Sequence, residues 1–252
     1  MKKIIITGGS GLVGNYLIGF FLKKKFKIFT TVLSDSGKKK LEDNYKSFAV
    51  NGSLLIHKQD FEKSGFEKKI FKTISNYDFF PDVLINNARN LKNLDIRNFN
   101  INKISWEKEF NLSVIAPYKL TKILIEKSEE SLKRVINISS IYGTVAINRV
   151  LQTYSKKPVP MNYSVCKAAL IQLTKEFAAE YGNNEITFNS VSYGGITGRE
   201  SPKFREKYSE LSPSGKMLEI NEITTAIDFL IDKGSSAVNG HNLVVDGGWS
   251  IW

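Results

Sequence analysis

The sequence KIIITGGSGLVG, residues 3–14, decides the fold class of this chain. Lys3–Thr7 is a short, β-branched apolar run of the kind that forms a strand buried on both faces. Apolar residues then recur at helical spacing across Gly14–Lys24. The glycines between the two segments permit a tight turn and let a phosphate approach the backbone at the start of a helix. This order of strand, glycine turn and helix predicts a dinucleotide site of the Rossmann type.

Strand-like and helix-like segments alternate along the rest of the chain, which is typical of βαβ units. We therefore predict an α/β fold with a doubly wound, parallel, seven-stranded sheet flanked by helices, in a single domain over residues 1–252. Long helices are predicted at 105–127 and Asn162–Tyr181. Further strands are predicted at Lys27–Leu33, Leu54–Gln59, Asp82–Ile85, Arg134–Ile138, Glu185–Val191 and Asn242–Val245.

Two long irregular stretches interrupt this alternation, one at about 142–161 and one at about 194–215. Both follow predicted strands, so both should lie over the carboxyl edge of the sheet, where folds of this kind bind ligands. Long loops in compact domains tend to be functional. We therefore interpret 142–161 as a substrate-side insertion and 194–215 as a substrate loop.

The composition excludes several classes of function. The net charge is +11, but the lysines are spread along all 252 residues, which predicts a solvated surface and no nucleic-acid partner. Cys166 is the single cysteine, and the two histidines, His57 and His241, have no second ligand at metal spacing, so no metal site is predicted. No apolar stretch is long enough to span a membrane and the N-terminal apolar run is too short for a signal peptide, so we predict a cytoplasmic protein with no membrane partner.

Tyr163 and Lys167 are four residues apart near the start of a predicted helix, so their side chains share one face. A nearby ammonium group stabilises a tyrosinate and lowers the pKa of the phenol from about 10. Such a pair alone occurs often by chance. Here NISS (Asn137–Ser140) closes the strand just before it, and INNA (Ile85–Ala88) closes an earlier strand. This context indicates an acid–base site.

With these motifs the chain resembles the short-chain dehydrogenase/reductase family, in its single-domain branch. The matches occur in family order and span nearly the whole chain. They are TGGSGLVG, Asp60 after the third strand, INNA, Asn111, NISS, YSVCK (Tyr163–Lys167) and VVDGGW (Val244–Trp249). The resemblance implies an oxidoreductase in which a nicotinamide cofactor carries the hydride.

The resemblance also implies the roles of the catalytic residues. Tyr163 would be the general acid and base, and Lys167 would bind the nicotinamide ribose and depress the pKa of Tyr163. Ser140 would hydrogen-bond the reacting oxygen, and Asn111 would hold a water of the proton relay. For Ser139 a structural role is favoured.

Cofactor contacts are predicted at the glycine turn, beside the adenosine half and beside the nicotinamide. The residues are Gly8, Ser10, Gly11, Val13, Gly14, Asp60, Asn86, Asn87, Ala88, Tyr163, Lys167, Ile196 and Thr197. The sequence gives divided indications on NAD and NADP. Asp35, after the second strand, would favour NAD, whereas Lys38–Lys40, which follow it closely, would favour NADP. We lean slightly toward NADP.

The chain departs from the family pattern at several positions. Its glycine spacing, TGxxGxxG, resembles the extended, two-domain branch, whereas the other motifs and the length do not fit that branch. Arg89 stands where a glycine is usual, and Tyr193 where a proline is usual. The long segment between Ser140 and Tyr163, together with the C-terminal sequence, is similar to a bacterial subgroup that makes surface sugars, including nonulosonic acids and flagellin glycans.

We therefore predict an NAD(P)-dependent oxidoreductase that acts on a sugar, nucleotide-sugar or sugar acid in bacterial surface polysaccharide or glycan biosynthesis. A homo-dimer or homo-tetramer is expected. The alternatives are a sugar-nucleotide epimerase or dehydratase that uses bound NAD transiently, and a non-catalytic dinucleotide-sensing protein. A nucleic-acid binder would rest on charge alone.

Overall fold

Seven parallel strands form the centre of the fold. The computed structural model describes residues 2–90, 101–128, 131–155, 159–182, 185–198 and 200–252. Within them the strand order is β3-β2-β1-β4-β5-β6-β7. The order reverses between β1 and β4, which is the switch point where doubly wound folds bind ligands. The strands are β1 (Lys3–Ile6), β2 (Lys27–Val32), β3 (Leu54–Lys58), β4 (Val83–Asn86), β5 (Arg134–Ser140), β6 (Thr187–Tyr193) and β7 (Asn242–Val245).

Helices connect the strands and cover both faces of the sheet. They are α1 (Leu12–Lys23), α2 (Asp35–Asn44), α3 (Lys46–Val50), α4 (Phe66–Asn76), α5 (Lys103–Phe110), α6 (Ala116–Lys127), α7 (Arg149–Gln152), α8 (Met161–Tyr181), α9 (Pro202–Leu211) and α10 (Thr224–Ile231). A π-helical turn, Asn111–Ile115, joins α5 to α6. Short 3-10 turns lie at Ile141–Gly143, Ile220–Ile223, Lys233–Ser235 and Trp249–Ile251.

The sheet separates two apolar cores, and the alternation of side chains along each strand decides which core a residue joins. In β1, Ile4 and Ile6 pack with α1 and α10 on one face. Ile5 packs with α4, α6 and α8 on the other. All three isoleucines are fully buried. Truncating one of them to alanine would cost about 2–5 kcal/mol of folding free energy.

The doubly wound, single-domain α/β fold predicted from the sequence is confirmed, and most strand ends agree within two residues. One difference affects the site. The helix predicted over 105–127 is interrupted by the π-helical turn, which changes the direction in which its side chains point. In the described part of the chain, none of the helices has the length and apolar character needed to cross a bilayer.

Candidate active site

The glycine turn after β1 has the geometry of a phosphate cradle. Gly8 has a φ of +73°, in the left-handed region that favours glycine. A Cβ on Gly14 would lie 2.4 Å from the Gly8 carbonyl oxygen, so no side chain fits there. No side chain caps the start of α1 at Gly11, and its first turn holds no acidic residue. Free N–H groups and the positive end of the helix dipole are therefore available to a pyrophosphate.

A cleft of about 690 Å³ extends from this turn across the carboxyl edge of the sheet. Its size suits a cofactor together with a small substrate. Most of the residues predicted to contact the cofactor line it: Gly8, Ser10, Gly11, Val13, Gly14, Asp60, Asn87, Ala88, Tyr163, Lys167 and Ile196. The glycine cradle and this lining fit a dinucleotide.

Two predicted cofactor contacts lie elsewhere. Asn86, the last residue of β4, points toward the α6 and α8 side of the sheet, where its amide donates to Asn137 Oδ1 at 2.8 Å. It therefore joins two strands beneath the cleft. Thr197 is absent from the lining of the cleft, and its hydroxyl donates to Glu219 Oε2 at 3.0 Å. Both side chains are occupied by contacts within the protein.

Tyr163 and Lys167 lie in the first turns of α8, and each is about one-twentieth exposed. Lys167 Nζ donates to the Ile138 carbonyl of β5 at 2.7 Å. Ser140, two residues further along β5, hydrogen-bonds the Tyr163 side chain. Ser139 donates to the Lys167 carbonyl at 3.1 Å, which is a contact of the structural kind expected for it. The strand end and the helix thus bring Ser140, Tyr163 and Lys167 together.

The pKa values of Tyr163 and Lys167 are both lowered from their ordinary values. Burial alone would raise the pKa of Tyr163, but the charges of Arg89 and Lys167 and the hydrogen bond with Ser140 outweigh it and lower that pKa. Burial lowers the pKa of Lys167, and the neighbouring Tyr163 and a buried carboxylate, Glu109, partly oppose that shift. A phenol and an ammonium group whose pKa values both fall toward the working range can pass a proton between them.

Arg89 follows INNA at the mouth of the cleft. Its guanidinium carbon lies 4.4 Å from the centroid of the Tyr163 ring. The sequence marks Arg89 only as a departure from the family pattern. The structure brings it to the reacting centre as a second cation beside Lys167.

Asn111 is not part of this cluster. It begins the π-helical turn, its side chain is exposed, and it is absent from the lining of the cleft. The helical stripe that faces the sheet includes instead Glu109, Leu112, Ser113, Ala116 and Leu120. The water-holding role of Asn111 stays a prediction, because the structure shows only that this residue is exposed and lies outside the cleft lining. Glu109 and Ser113 were missed, although their spacing on the apolar stripe of 109–120 is a readable signal.

The segment after β5 forms the wall of the cleft opposite the cofactor cradle. Tyr142, Gln152, Ser155 and Val159 line the cleft, together with Phe204 and Tyr208 from α9. Trp249 stacks on Tyr208 behind them, with ring centroids 4.3 Å apart. Lys156, Lys157 and Pro158 of the predicted insertion lie outside the described residues.

Arg149, also in the predicted insertion, is absent from the lining of the cleft. Its guanidinium donates to the Val159 carbonyl at 3.1 Å, so it braces the two ends of the segment.

Known proteins resemble this chain over nearly its full length. Residues 21–250 match the family model described as enoyl-(acyl carrier protein) reductase. A 3-oxoacyl-[acyl-carrier-protein] reductase of Pseudomonas aeruginosa is 27% identical, over 98% of this chain and 96% of that protein. The post-translational flagellin modification protein A of Campylobacter coli is 25% identical, over 99% of this chain and 98% of that protein.

A solved structure has the same fold. The 4-hydroxyisoleucine dehydrogenase complexed with NADH and succinate superposes with a TM-score of 0.82 at 25% identity, covering 99% of this chain and 100% of that one. The family model covers most of the chain. The chain belongs to the short-chain dehydrogenase/reductase family and is an NAD(P)-dependent oxidoreductase.

Proposed function

We propose that this enzyme interconverts a hydroxyl and a carbonyl group on a negatively charged, sugar-type substrate. The observation that carries the proposal is the Arg89 guanidinium, which lies 4.4 Å from the Tyr163 ring centroid at the mouth of the cleft. A guanidinium beside the reacting centre is suited to bind a carboxylate or phosphate of a substrate.

Each residue of the site has a separate role in the proposed reaction. The bound nicotinamide supplies or accepts the hydride. Tyr163 Oη donates a proton to the carbonyl oxygen in reduction and removes it from the hydroxyl in oxidation. Ser140 orients the reacting oxygen. Lys167 stabilises the tyrosinate through its positive charge and binds the ribose. Asn87 and Ala88 lie beside the adenosine half, and Gly8, Gly11 and Gly14 hold the pyrophosphate.

The segment 142–161 is the substrate-side wall and sets specificity. Support comes from the mixed polar and aromatic lining that Tyr142, Gln152 and Ser155 give to the cleft, since such groups hydrogen-bond and stack against sugar rings. The Campylobacter coli relative is named for flagellin modification, and the related dehydrogenase structure was solved with a dicarboxylate, succinate. The first is in line with a role in surface glycan synthesis, and the second with an anionic substrate.

NADP is the preferred cofactor in this proposal. Asp35 would favour NAD if it were free, but its carboxylate is paired with Lys58 Nζ at 2.5 Å, and that pairing lowers the pKa of Asp35. Lys40 Nζ donates to the carbonyl of Ser10, a residue of the cleft, at 3.3 Å. The ammonium group of Lys40 therefore lies near the side of the cleft where β2 ends. A positive charge at that position suits the 2′-phosphate of NADP.

A homo-dimer or homo-tetramer is part of the proposal. Large apolar side chains on three helices of one face are exposed, among them Ile104 and Phe110 on α5, Tyr118 on α6 and Val165 on α8. A second copy of the chain would cover them. Sedimentation equilibrium of the purified protein tests this, and a monomer at micromolar concentration would contradict it.

A substrate panel tests the proposed function. NADPH oxidation and NADP⁺ reduction are measured with keto and hydroxy sugar acids, nucleotide sugars, the matching neutral sugars and a 3-oxoacyl thioester. We expect kcat/KM for an acidic sugar to exceed that of its neutral counterpart by at least about tenfold, the value of one charge-assisted contact. A preference for the thioester or for neutral sugars would contradict the proposal.

A further inference from the structure

Glu109 is a buried carboxylic acid that the reaction described above does not use. It lies near the end of α5 and is fully buried. Ser113, one turn later, donates its hydroxyl to Glu109 Oε1 at 2.6 Å. The second oxygen, Oε2, is also buried and has no hydrogen-bond partner among the described residues. A carboxylate is costly to bury unless a positive charge compensates it. The charged groups around Glu109 should therefore indicate its function.

The surroundings of Glu109 are the back of the catalytic cluster. Ser113 and Lys167 line the same small cavity, together with Asn86 and Leu170. The charged and titratable groups that interact with the carboxylate come from two elements besides its own. Helix α8 contributes Tyr163, Cys166 and Lys167, and the segment after β4 contributes Arg89.

The groups around Lys167 differ in whether they favour or disfavour its charged form. Lys167 is almost entirely buried, which disfavours an ammonium group. Arg89 adds a second positive charge nearby and disfavours it further. Glu109 is the carboxylate that acts in the opposite direction.

We propose that Glu109, held by Ser113, is a positioning residue of the active site whose negative charge keeps the buried Lys167 protonated. The proposal rests on the assignment of Tyr163 and Lys167 as the acid–base pair. Under this proposal, α5 and the π-helical turn act on the site through the charge of Glu109. The sequence had predicted a water-holding role for Asn111 in the same turn. Burial raises the pKa of Glu109, whereas the Ser113 hydrogen bond and the charges of Lys167 and Arg89 oppose that shift and favour the ionised form.

The test compares Glu109→Gln with Glu107→Gln, the same substitution on an exposed residue of the same helix that pairs with Lys103. Glutamine preserves the volume and accepts the hydrogen bond from Ser113. Loss of the negative charge lowers the pKa of both Lys167 and Tyr163, so both limbs of the pH–rate profile should move to lower pH by about one unit. The affinity for NADPH, measured by fluorescence without turnover, should fall off at a correspondingly lower pH. Glu107→Gln should change neither profile.

Ser113→Ala provides a second variant that keeps the carboxylate. Without its donor the carboxylate ionises less readily, so the profiles should move in the same direction as for Glu109→Gln but less far. A folded Glu109→Gln or Ser113→Ala protein with wild-type profiles in both measurements would overturn the proposal. Failure of the acid–base assignment itself is distinguishable, because Tyr163→Phe would then retain turnover.

Discussion

The guanidinium of Arg89 lies 4.4 Å from the centroid of the ring of Tyr163, the residue that we propose exchanges the proton. Among the charged groups that favour the tyrosinate, Arg89 contributes most to lowering the pKa of Tyr163, ahead of Lys167. Because burial acts in the opposite direction and is the largest influence, the acidity of the phenol depends on these two cations together.

Arg89→Gln should therefore raise the pKa of Tyr163. In the direction of alcohol oxidation the tyrosinate is the base, so activity is lost as pH falls through this pKa. The acidic limb of the pH–rate profile should move to higher pH in the variant. Arg89→Lys retains the charge and should move it less. An unchanged limb in Arg89→Gln would show that the cation does not act on Tyr163 in the working enzyme.

Tyr163→Phe should lower kcat by at least about a hundredfold, in line with the contribution of general acid–base catalysis. Dinucleotide affinity should be retained. Tyr142→Phe is the matched control, since Tyr142 also lines the cleft but burial raises its pKa to about 12, which is unsuited to proton transfer at neutral pH. It should alter KM more than kcat. Near-normal turnover in Tyr163→Phe would remove the acid–base assignment.

The sequence predicts the elements that rest on local pattern. The β-branched runs of β1 and β4 and the glycines at 8 and 14 have physical roles that follow from the residue types and their order along the chain. The role of Asn111 stays a prediction, because a motif letter identifies a residue type but not the face of a helix. The π-helical turn and the apolar stripe that includes Ser113 determine that face. Arg89 could not be placed either, because its contact with Tyr163 joins segments that are far apart in the chain.

Gly14→Ala should lose both stability and cofactor binding. The added Cβ would meet the Gly8 carbonyl oxygen at 2.4 Å and the Asn87 amide at 2.9 Å. Gly11→Ala is the matched variant, since its Cβ meets only the Gly8 carbonyl at 3.4 Å, an ordinary contact. It should keep the wild-type unfolding temperature but bind dinucleotide more weakly, because its methyl group faces the cleft. Unchanged affinity in Gly11→Ala, measured by calorimetry, would move the pyrophosphate elsewhere.

Lys40→Ala should weaken NADPH binding and leave NADH binding nearly unchanged. A charge-assisted contact with the 2′-phosphate is worth about 1.5–3 kcal/mol, so the dissociation constant of NADPH should rise by about tenfold or more. Lys39→Ala is the control, as this neighbouring lysine of α2 is equally exposed but has no contact with Ser10. Equal losses for NADH and NADPH in Lys40→Ala would contradict a role in selecting the phosphate.

Gln152 holds the substrate-side wall together. Its side chain is buried, its amide nitrogen donates to Tyr142 Oη at 3.2 Å, and its amide oxygen accepts from the Val159 backbone N–H at 2.8 Å. Gln152→Ala removes both bonds and leaves two polar groups unpaired, at a cost of about 1–3 kcal/mol. The wall should loosen, and KM for the acidic sugar should rise by about fivefold or more, whereas the dinucleotide dissociation constant should stay constant.

Val150→Ala is the control for this variant, because Val150 lies on the same short helix and is exposed to solvent. It should leave KM and the dissociation constant of the dinucleotide unchanged. A Gln152→Ala protein that loses dinucleotide affinity as much as substrate affinity would show that the segment 142–161 supports the whole cleft. Because Gln152 contacts Tyr142 and Val159 but none of the glycine turn, we expect the two affinities to separate.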